Sequence, residues 1–250
     1  MHILLTNDDG IRAPGLRALA DGLIADGHRV TVSAPDRERS ATSHSVLLGV
    51  PVKAEPVEFP GAQRAWAVGS TPADCASLGL WLTREDPVDM VLAGINYGMN
   101  QGGACIYSGT VGAAMEAAMC GCQAVAVSLC IRKRGDAVDF APAARLAARV
   151  VRWAAGHPLP QGCIYNLNVP PLPYDEILGL RAARMAPVFL GAPNYEACPE
   201  GFQYTHNTPV PMEDPLYDVN LTGRGYATLT KLTWDLRLPE PDDELNEIGL

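Results

Sequence analysis

Two adjacent carboxylates, Asp8 and Asp9, follow an apolar run near the start of the chain, within the turn sequence Asn7-Asp-Asp-Gly10. Adjacent acids repel each other, and each raises the pKa of its neighbour unless a cation or a basic side chain lies between them. A hard divalent cation, which prefers oxygen ligands, is the simplest such partner. The pair therefore predicts a divalent metal site. The alternative is an ordinary turn, because Asn, Asp and Gly tolerate the backbone angles that turns require.

A second group of residues is typical of an anion site. The segment Tyr107-Ser-Gly-Thr-Val111 opens a predicted helix, where free backbone N–H groups and hydroxyls can bind a phosphate. Before it lies the stretch 94–103, whose glycines let the backbone approach a ligand closely and which also carries Asn96 and Asn100. Its glycine spacing matches neither the dinucleotide fingerprint nor a P-loop. Carboxylates for a cation beside donors for an anion predict metal-assisted hydrolysis of a phosphate ester.

Each of these polar residues also has an ordinary interpretation. Ser108 and Thr110 are residue types that cap helices, and Asn100 is a residue type that holds turns. The charged residues 36–39 fit a solvated loop, where an ion pair contributes little. Of the five histidines, only His44 lies on a loop predicted to face the site, as a neighbour of the substrate at most.

The elements that position these residues alternate between strand and helix. Apolar residues recur at helical spacing from about Pro14 to Ala25, and a strand follows from Arg29 to Ala34, which makes a βαβ unit. Further elements are predicted at Met90–Ala93 (strand), Gly109–Met119 (helix), Ala124–Leu129 (strand), Ala141–Ala155 (helix) and Cys163–Val169 (strand). This alternation predicts an α/β fold with a doubly wound, mostly parallel sheet. The carboxyl ends of its strands share one rim, so residues 7–10, 40–45 and 94–110 should converge there.

The pattern changes after residue 170, where prolines, aromatics and short β-like runs replace the alternation. We expect a core at residues 1–170 and an irregular β-rich subregion at 171–250 that takes part in oligomerisation. The extended segments 177–184 and 226–232 are predicted to form a hairpin or arm exposed for subunit contact. The acidic end, 239–250, is expected to pack on a neighbour or to stay mobile.

Composition excludes several classes of protein. The 250 residues are 48% hydrophobic and carry a net charge of −9, which argues against binding a nucleic-acid polymer by counterion release. No apolar run approaches the length of a membrane span, and the chain begins with a strand rather than a signal peptide, so no membrane association is expected. Seven cysteines without paired metal spacing argue against a disulfide framework and predict a cytoplasmic protein.

Several spaced motifs together resemble the SurE survival-protein nucleotidases. They are Asn7-Asp-Asp-Gly10 with Pro14-Gly15, Ala34-Pro-Asp-Arg37 with Arg39-Ser40, Thr71-Pro-Ala-Asp-Cys75, Gly94-Ile-Asn96 with Gly98 and Asn100, and Tyr107-Ser-Gly-Thr-Val111, with weaker echoes at Asn166-Leu-Asn168 with Pro170 and at Asp218 before Gly225-Tyr226. The resemblance is strong to about residue 130 and looser afterwards. It implies a Rossmann-like core, a metal-dependent phosphatase acting on nucleoside 5′-monophosphates and also 3′-monophosphates, and a homodimer or homotetramer.

The resemblance also implies roles for individual residues. It implies one divalent ion per subunit, Mg²⁺ or Mn²⁺, held by Asp8, Asp9, Ser40 and Asn96. The candidate phosphate-binding residues are Asn7, Gly10, Ser43, Asn100, Ser108, Gly109 and Thr110. Spacing alone does not predict a serine hydroxyl as a metal ligand; the sequence places Ser40 only on the correct rim. Ala41 and Ala93 replace the glycine and serine usual in the family, which puts loop shape and substrate preference in question.

The predicted catalytic residues are Asp8, Asn96 and Ser108. In this hypothesis Asp8 acts as base for the attacking water or orients it, while Asn96 and Ser108 stabilise charge on the phosphate oxygens. A covalent aspartyl-phosphate is the rival route, although adjacent acids are not expected to point the same way as an Asp-x-Asp pair does. A different class of function is a sensor that binds nucleotides or sugar phosphates without turnover. Two carboxylates would serve such a sensor only with a cation present.

Overall fold

The computed structural model describes residues 1–131, 135–187, 193–207 and 213–235. Its strands are β1 (His2–Thr6), β2 (Arg29–Pro35), β3 (Ala54–Pro56), β4 (Arg64–Val68), β5 (Met90–Tyr97), β6 (Gln123–Leu129), β7 (Cys163–Val169), β8 (Leu180–Ala182), β9 (Pro193–Cys198), β10 (Gly201–Asn207) and β11 (Ala227–Thr233). Its α-helices are α1 (Pro14–Ala25), α2 (Pro72–Leu82), α3 (Gly109–Met119), α4 (Ala141–Ala154) and α5 (Asp218–Gly223), and Gly102–Tyr107 and Tyr174–Glu176 are 3₁₀ helices.

Nine of the strands form one sheet in the order β3-β4-β2-β1-β5-β6-β7-β11-β8. From β4 to β7 all neighbours are parallel, while β3 and β11 pair antiparallel with their inner neighbours. The predicted α/β fold with a mostly parallel sheet is therefore confirmed. The chain runs outward from β1 through β2 to β4 and then returns to the other side of β1 as β5. This reversal creates a topological switch point between β1 and β5, where open α/β sheets bind ligands.

Helices cover both faces of the sheet and bury its central strands. On one face α1 and α4 share a hydrophobic cluster with Ile3 and Leu5 of β1, and on the other α2 and α3 share a cluster with Leu4. All five residues of β1 are buried. A strand buried on both faces is typically apolar along its length, and β1 shows this pattern at Ile3, Leu4 and Leu5.

The two extended segments of the C-terminal region do not pair as predicted. β8 and β11 are parallel neighbours within the main sheet, and parallel strands cannot be joined by a tight turn. The antiparallel hairpin is formed by β9 and β10 instead. The division at residue 170 stays a prediction, and the predicted tail at 239–250 lies outside the described residues.

β5 also runs further than predicted, through Tyr97 rather than Ala93. After a register shift, Asn96 and Tyr97 pair with Ser128 and Leu129 of β6, so Asn96 belongs to a strand end rather than to a free loop. In the part of the chain that the structure describes, no helix has the length and apolar character needed to span a membrane.

Candidate active site

The turn after β1 is closed by one side chain, Asn7. Its Oδ1 accepts the Gly10 N–H at 3.1 Å and its Nδ2 donates to the Gly10 carbonyl at 2.9 Å. The Asp8 carbonyl accepts the backbone N–H of Arg39 at 2.7 Å. These hydrogen bonds fix the backbone that carries Asp8 and Asp9 at the switch point of the sheet.

The first turn of α3 holds the Asp8 carboxylate. The Thr110 hydroxyl donates to Asp8 Oδ1. A Cβ added to Gly109 would lie 2.9 Å from Asp8 Cβ and 3.0 Å from Asp8 Oδ2, so only a glycine permits this close approach. On the other side, Asp9 Oδ2 accepts the Tyr97 N–H at 3.1 Å. The two acids are thus fixed by different elements, α3 and β5.

A cavity of about 580 Å³ opens over the two carboxylates. Ser40 reaches it from the loop after β2 and Asn96 from the end of β5, and in it Ser40 Oγ donates to Glu38 Oε1 at 2.7 Å. Asn96 Nδ2 donates to the Gly98 carbonyl at 2.9 Å, and its Oδ1 forms no hydrogen bond with any described residue. An amide oxygen is therefore available to a ligand beside the acid pair.

Burial makes the acid pair electrostatically unfavourable by itself. Burial raises the pKa of Asp8, which is only 5% exposed. Burial, and next the charge of Asp8, raise the pKa of Asp9 to about 6. None of the ion pairs between described residues involves either acid.

This donor set fits a hard divalent cation. Buried Asp8 and partly buried Asp9 have no cationic partner among the described residues. Together with the free Oδ1 of Asn96 and the hydroxyl of Ser40, their carboxylates supply the oxygen ligands that Mg²⁺ or Mn²⁺ prefer. Within residues 1–131, 135–187, 193–207 and 213–235 no cluster of three or more His, Cys, Asp or Glu side chains forms a metal site. A cation here therefore depends on neutral oxygens as well as on the two acids.

The N-terminus of α3, where the sequence predicts a phosphate site, adjoins the acids. Ser108 caps this helix, since its Oγ accepts the Val111 N–H at 3.1 Å, and it also lines the cavity. The capping interpretation and the site interpretation of Ser108 are therefore compatible. Helix N-termini present free N–H groups and a partial positive charge to anions.

The predicted site residues divide into two groups. Those that line the cavity are Asp8, Asp9, Ser40, Asn96, Asn100 and Ser108. Those that lie behind it are Asn7, Gly10, Ser43, Gly109 and Thr110. In the second group the hydroxyl of Ser43 donates to the Ile106 carbonyl at 2.6 Å, and that of Thr110 is used by Asp8. These residues support the walls of the cavity, and their predicted contact with phosphate stays a prediction.

Asn100 is part of a buried amide network. Its carbonyl accepts the side-chain amides of Asn166 and Asn168, both at 2.9 Å, and its Nδ2 donates to Ser128 Oγ at 2.8 Å. Asn100 therefore fixes the loop after β5 to β6 and β7, in addition to lining the cavity.

Sequence reasoning gave no role to several cavity residues, among them Glu38, Tyr97 and Tyr107. Glu38 stands two residues before Ser40 in a loop interpreted as solvated charge. Tyr107 directly precedes the recognised Ser108, and Tyr97 follows Asn96. Only proximity to recognised residues could have indicated them.

The loop that carries Ser40 is clamped at both ends. Besides the Arg39 contact with Asp8, the Ser43 N–H donates to the Tyr107 carbonyl at 3.1 Å, and His44 Nε2 lies 2.8 Å from Glu116 Oε2 of α3. A Cβ on Gly112 would lie 2.7 Å from the Ser43 carbonyl oxygen, so the loop rests directly on the helix backbone.

His44→Ala is expected to weaken Mn²⁺ binding by about tenfold, because outer contacts that orient a ligand loop typically contribute that much to metal affinity. Isothermal titration calorimetry on metal-stripped protein measures the change. Glu116→Gln, which keeps a hydrogen-bonding group, should lose less affinity, and the exposed His157→Ala serves as control. Unchanged Mn²⁺ affinity in His44→Ala would show that the clamp does not position Ser40.

Metal-free protein is expected to lose stability through Asp9 as the pH rises from about 4 to about 6. The ordinary pKa of this carboxyl is 3.8 and its folded pKa is about 6, so between these values the folded chain keeps a proton that the unfolded chain has released. The free energy of unfolding should fall across this window by about 3 kcal/mol. In EDTA, the Tm advantage of Asp9→Asn over wild type should therefore be larger at pH 7 than at pH 4. Equal differences at both pH values would contradict the raised pKa.

Comparison with known proteins identifies a common family. A family model described as survival protein SurE matches residues 3–190. A 5′-nucleotidase SurE of Nostoc sp. is 38% identical, with 99% of this chain and 98% of that protein covered. A 5′-nucleotidase SurE of Gloeobacter violaceus is 43% identical, with 94% and 91% covered. The crystal structure of the SurE protein from Aquifex aeolicus superposes with a TM-score of 0.81 at 30% identity, covering 95% of both chains.

Proposed function

The chain belongs to the survival protein SurE family, and from this membership we infer that it is a 5′-nucleotidase, a hydrolase that converts nucleoside 5′-monophosphates to nucleoside and phosphate. The observation within the molecule that supports this inference most is one cavity that joins a buried carboxylate, Asp8, a partly buried one, Asp9, and a helix N-terminus. Such a site suits a phosphate monoester and a divalent cation together.

We further propose that the activity depends on one divalent ion per subunit, Mg²⁺ or Mn²⁺. Asp8, Asp9, Ser40 and Asn96 would hold it, since these residues bring their oxygens to the cavity. When bound, such an ion polarises a phosphate oxygen and lowers the pKa of a coordinated water.

The protein's own residues have distinct tasks in this proposal. Asp8 orients the attacking water and accepts its proton, and Thr110 fixes the carboxylate for this purpose through Oδ1. Ser108 and the first turn of α3 bind the phosphate oxygens, and Asn96 stabilises charge that develops on them. Water then attacks phosphorus opposite the leaving ribose oxygen. The bond between phosphorus and that oxygen breaks, and the oxygen takes up a proton, so that the products are the nucleoside and phosphate.

Three finer points belong to the same proposal. We propose that 3′-monophosphates are also substrates and that the protein is a homodimer or homotetramer, both as the family resemblance implies. Location in the cytoplasm stays a prediction from the cysteine pattern.

Phosphate release from metal-stripped protein tests the proposal. The substrates are AMP, GMP, CMP, UMP and 3′-AMP, each measured in EDTA and after addition of Mg²⁺ or Mn²⁺. Release that appears only with metal is expected. No release with either metal, alongside tight binding of AMP in EDTA, would instead indicate a sensor. A phosphoaspartate trapped at Asp8 would replace direct attack by water with the covalent route.

A further inference from the structure

A second cavity, which we call the side cleft, opens beside the active site. It has a volume of about 560 Å³ and lies between residues 99–101 and the segment that includes α5. Met99 and Ile131 line both the side cleft and the active-site cavity, so the two spaces adjoin along these side chains. Both volumes fall within the roughly 300–1,000 Å³ typical of small-molecule sites.

The side cleft is chemically unlike the active site. Its walls include the apolar side chains of Cys130, Leu172 and Val219, and Met99 at its edge is 40% exposed. Among the described residues that line it, Arg224 is the one charged side chain. In a chain of net charge −9, a cleft without a lining carboxylate is compatible with a ligand attached to a phosphate.

The polar side chains of the cleft are already hydrogen-bonded to one another. Gln101 Nε2 donates to the Asp218 carbonyl at 3.0 Å and to Thr222 Oγ1 at 2.9 Å. Thr222 Oγ1 donates to the same carbonyl at 3.0 Å. Because these groups are already paired with each other, they are not suited to form hydrogen bonds with the edge of a base. Binding in the cleft must rest on apolar contact and on stacking.

We propose that the side cleft binds the base of the nucleotide while its phosphate lies at the acid pair and Ser108. This proposal rests on the proposed nucleotidase activity and adds where the nucleoside binds and how it is recognised. Arg224 lines the cleft, and its guanidinium carbon lies 5.8 Å from the centroid of the Tyr226 ring. In this proposal the planar guanidinium stacks on the base, an interaction that purines and pyrimidines both support. The enzyme therefore accepts different bases with similar efficiency and prefers nucleotides to ribose 5-phosphate.

Gly223→Phe tests the proposal by filling the cleft. Gly223 lines the cleft within α5, and no atom lies within 4 Å of a Cβ added there, so the backbone accommodates a side chain. We expect kcat/KM for AMP and UMP to fall at least about tenfold, and kcat/KM for ribose 5-phosphate, which lacks a base, to change less than about twofold. Arg224→Gln should lower the AMP and UMP values alone, by about threefold.

A matched control is Gly156→Phe. Gly156 is exposed, lies outside both cavities, and its added Cβ would meet only the Trp153 carbonyl oxygen at 3.7 Å. This variant should leave all substrates unchanged. Circular dichroism and Tm establish that each variant is folded.

The outcomes separate this proposal from the proposed function. Hydrolysis of AMP by Gly223→Phe at the wild-type rate would overturn base binding in the side cleft and leave the nucleotidase activity standing. An equal loss on AMP and ribose 5-phosphate would also overturn it. Failure of wild type on every nucleotide with both metals would overturn the nucleotidase function, and the base site with it.

Discussion

Asp8→Asn is expected to lower kcat/KM for AMP by about a thousandfold, with the fold retained. The substitution keeps the size of the side chain and leaves an oxygen to accept the Thr110 hydroxyl. It removes the negative charge that a cation needs and the base that accepts the proton of water. Phosphate release at saturating Mn²⁺, with protein quantified after circular dichroism, measures the effect.

The same variant should not be less stable than wild type when metal is absent. Asp8 is buried beside a second acid, so the ionised form is unfavourable and a neutral amide removes that cost. Asp21→Asn is the matched control, because this acid lies on the exposed face of α1 in an ion pair with Arg17. Activity of Asp8→Asn near that of Asp21→Asn would exclude Asp8 from the reaction.

Asp218→Ala is expected to lower the free energy of unfolding by about 3 kcal/mol or more. This carboxylate is fully buried and accepts three backbone N–H groups, from Gly102 at 2.9 Å, Ala186 at 3.2 Å and Val219 at 2.9 Å. Burial raises its pKa, so the buried charge itself carries a cost. The loss of an acceptor for three backbone N–H groups should nevertheless destabilise the fold more than removal of the buried charge stabilises it.

Urea denaturation in EDTA measures this loss without the contribution of bound metal. Asp218→Asn, which keeps one oxygen acceptor, should fall between alanine and wild type. Glu85→Ala removes a carboxylate that is 91% exposed and should change stability by less than about 0.5 kcal/mol. A loss for Asp218→Ala no larger than that for Glu85→Ala would show that these hydrogen bonds contribute little.

Elements with strong local patterning were predictable from the sequence. The bounds of α1, α3 and β7 agree with the prediction because apolar spacing, caps and turns act within a few residues. The pairing of β8 with β11 was not predictable, since those strands are separated by more than forty residues and neither sequence encodes its partner.

The site shows the same division between local and long-range information. Asp8 and Asp9 follow β1 and Asn96 lies at the end of β5, so the strand pattern alone predicts their common rim. The predicted contact of Thr110 with phosphate stays a prediction. The hydrogen bond from its hydroxyl to Asp8 was not predicted, because the direction of a side chain depends on packing that the sequence does not display. Ser40 as a ligand came from family resemblance and not from spacing.

The central position of β1 determines when the site can form during synthesis. β1 leaves the ribosome before the other described strands, whereas its neighbour β5 ends at Tyr97 and the glycine that packs on Asp8 is residue 109. A nascent chain therefore carries its two acids uncovered until residue 109 has been synthesised. The 3₁₀ helix at the wall of the cavity is completed later still, because its Gly102 N–H donates to the carboxylate of residue 218. A ribosome stalled before that point holds a chain whose catalytic sequence is complete but whose active site is not.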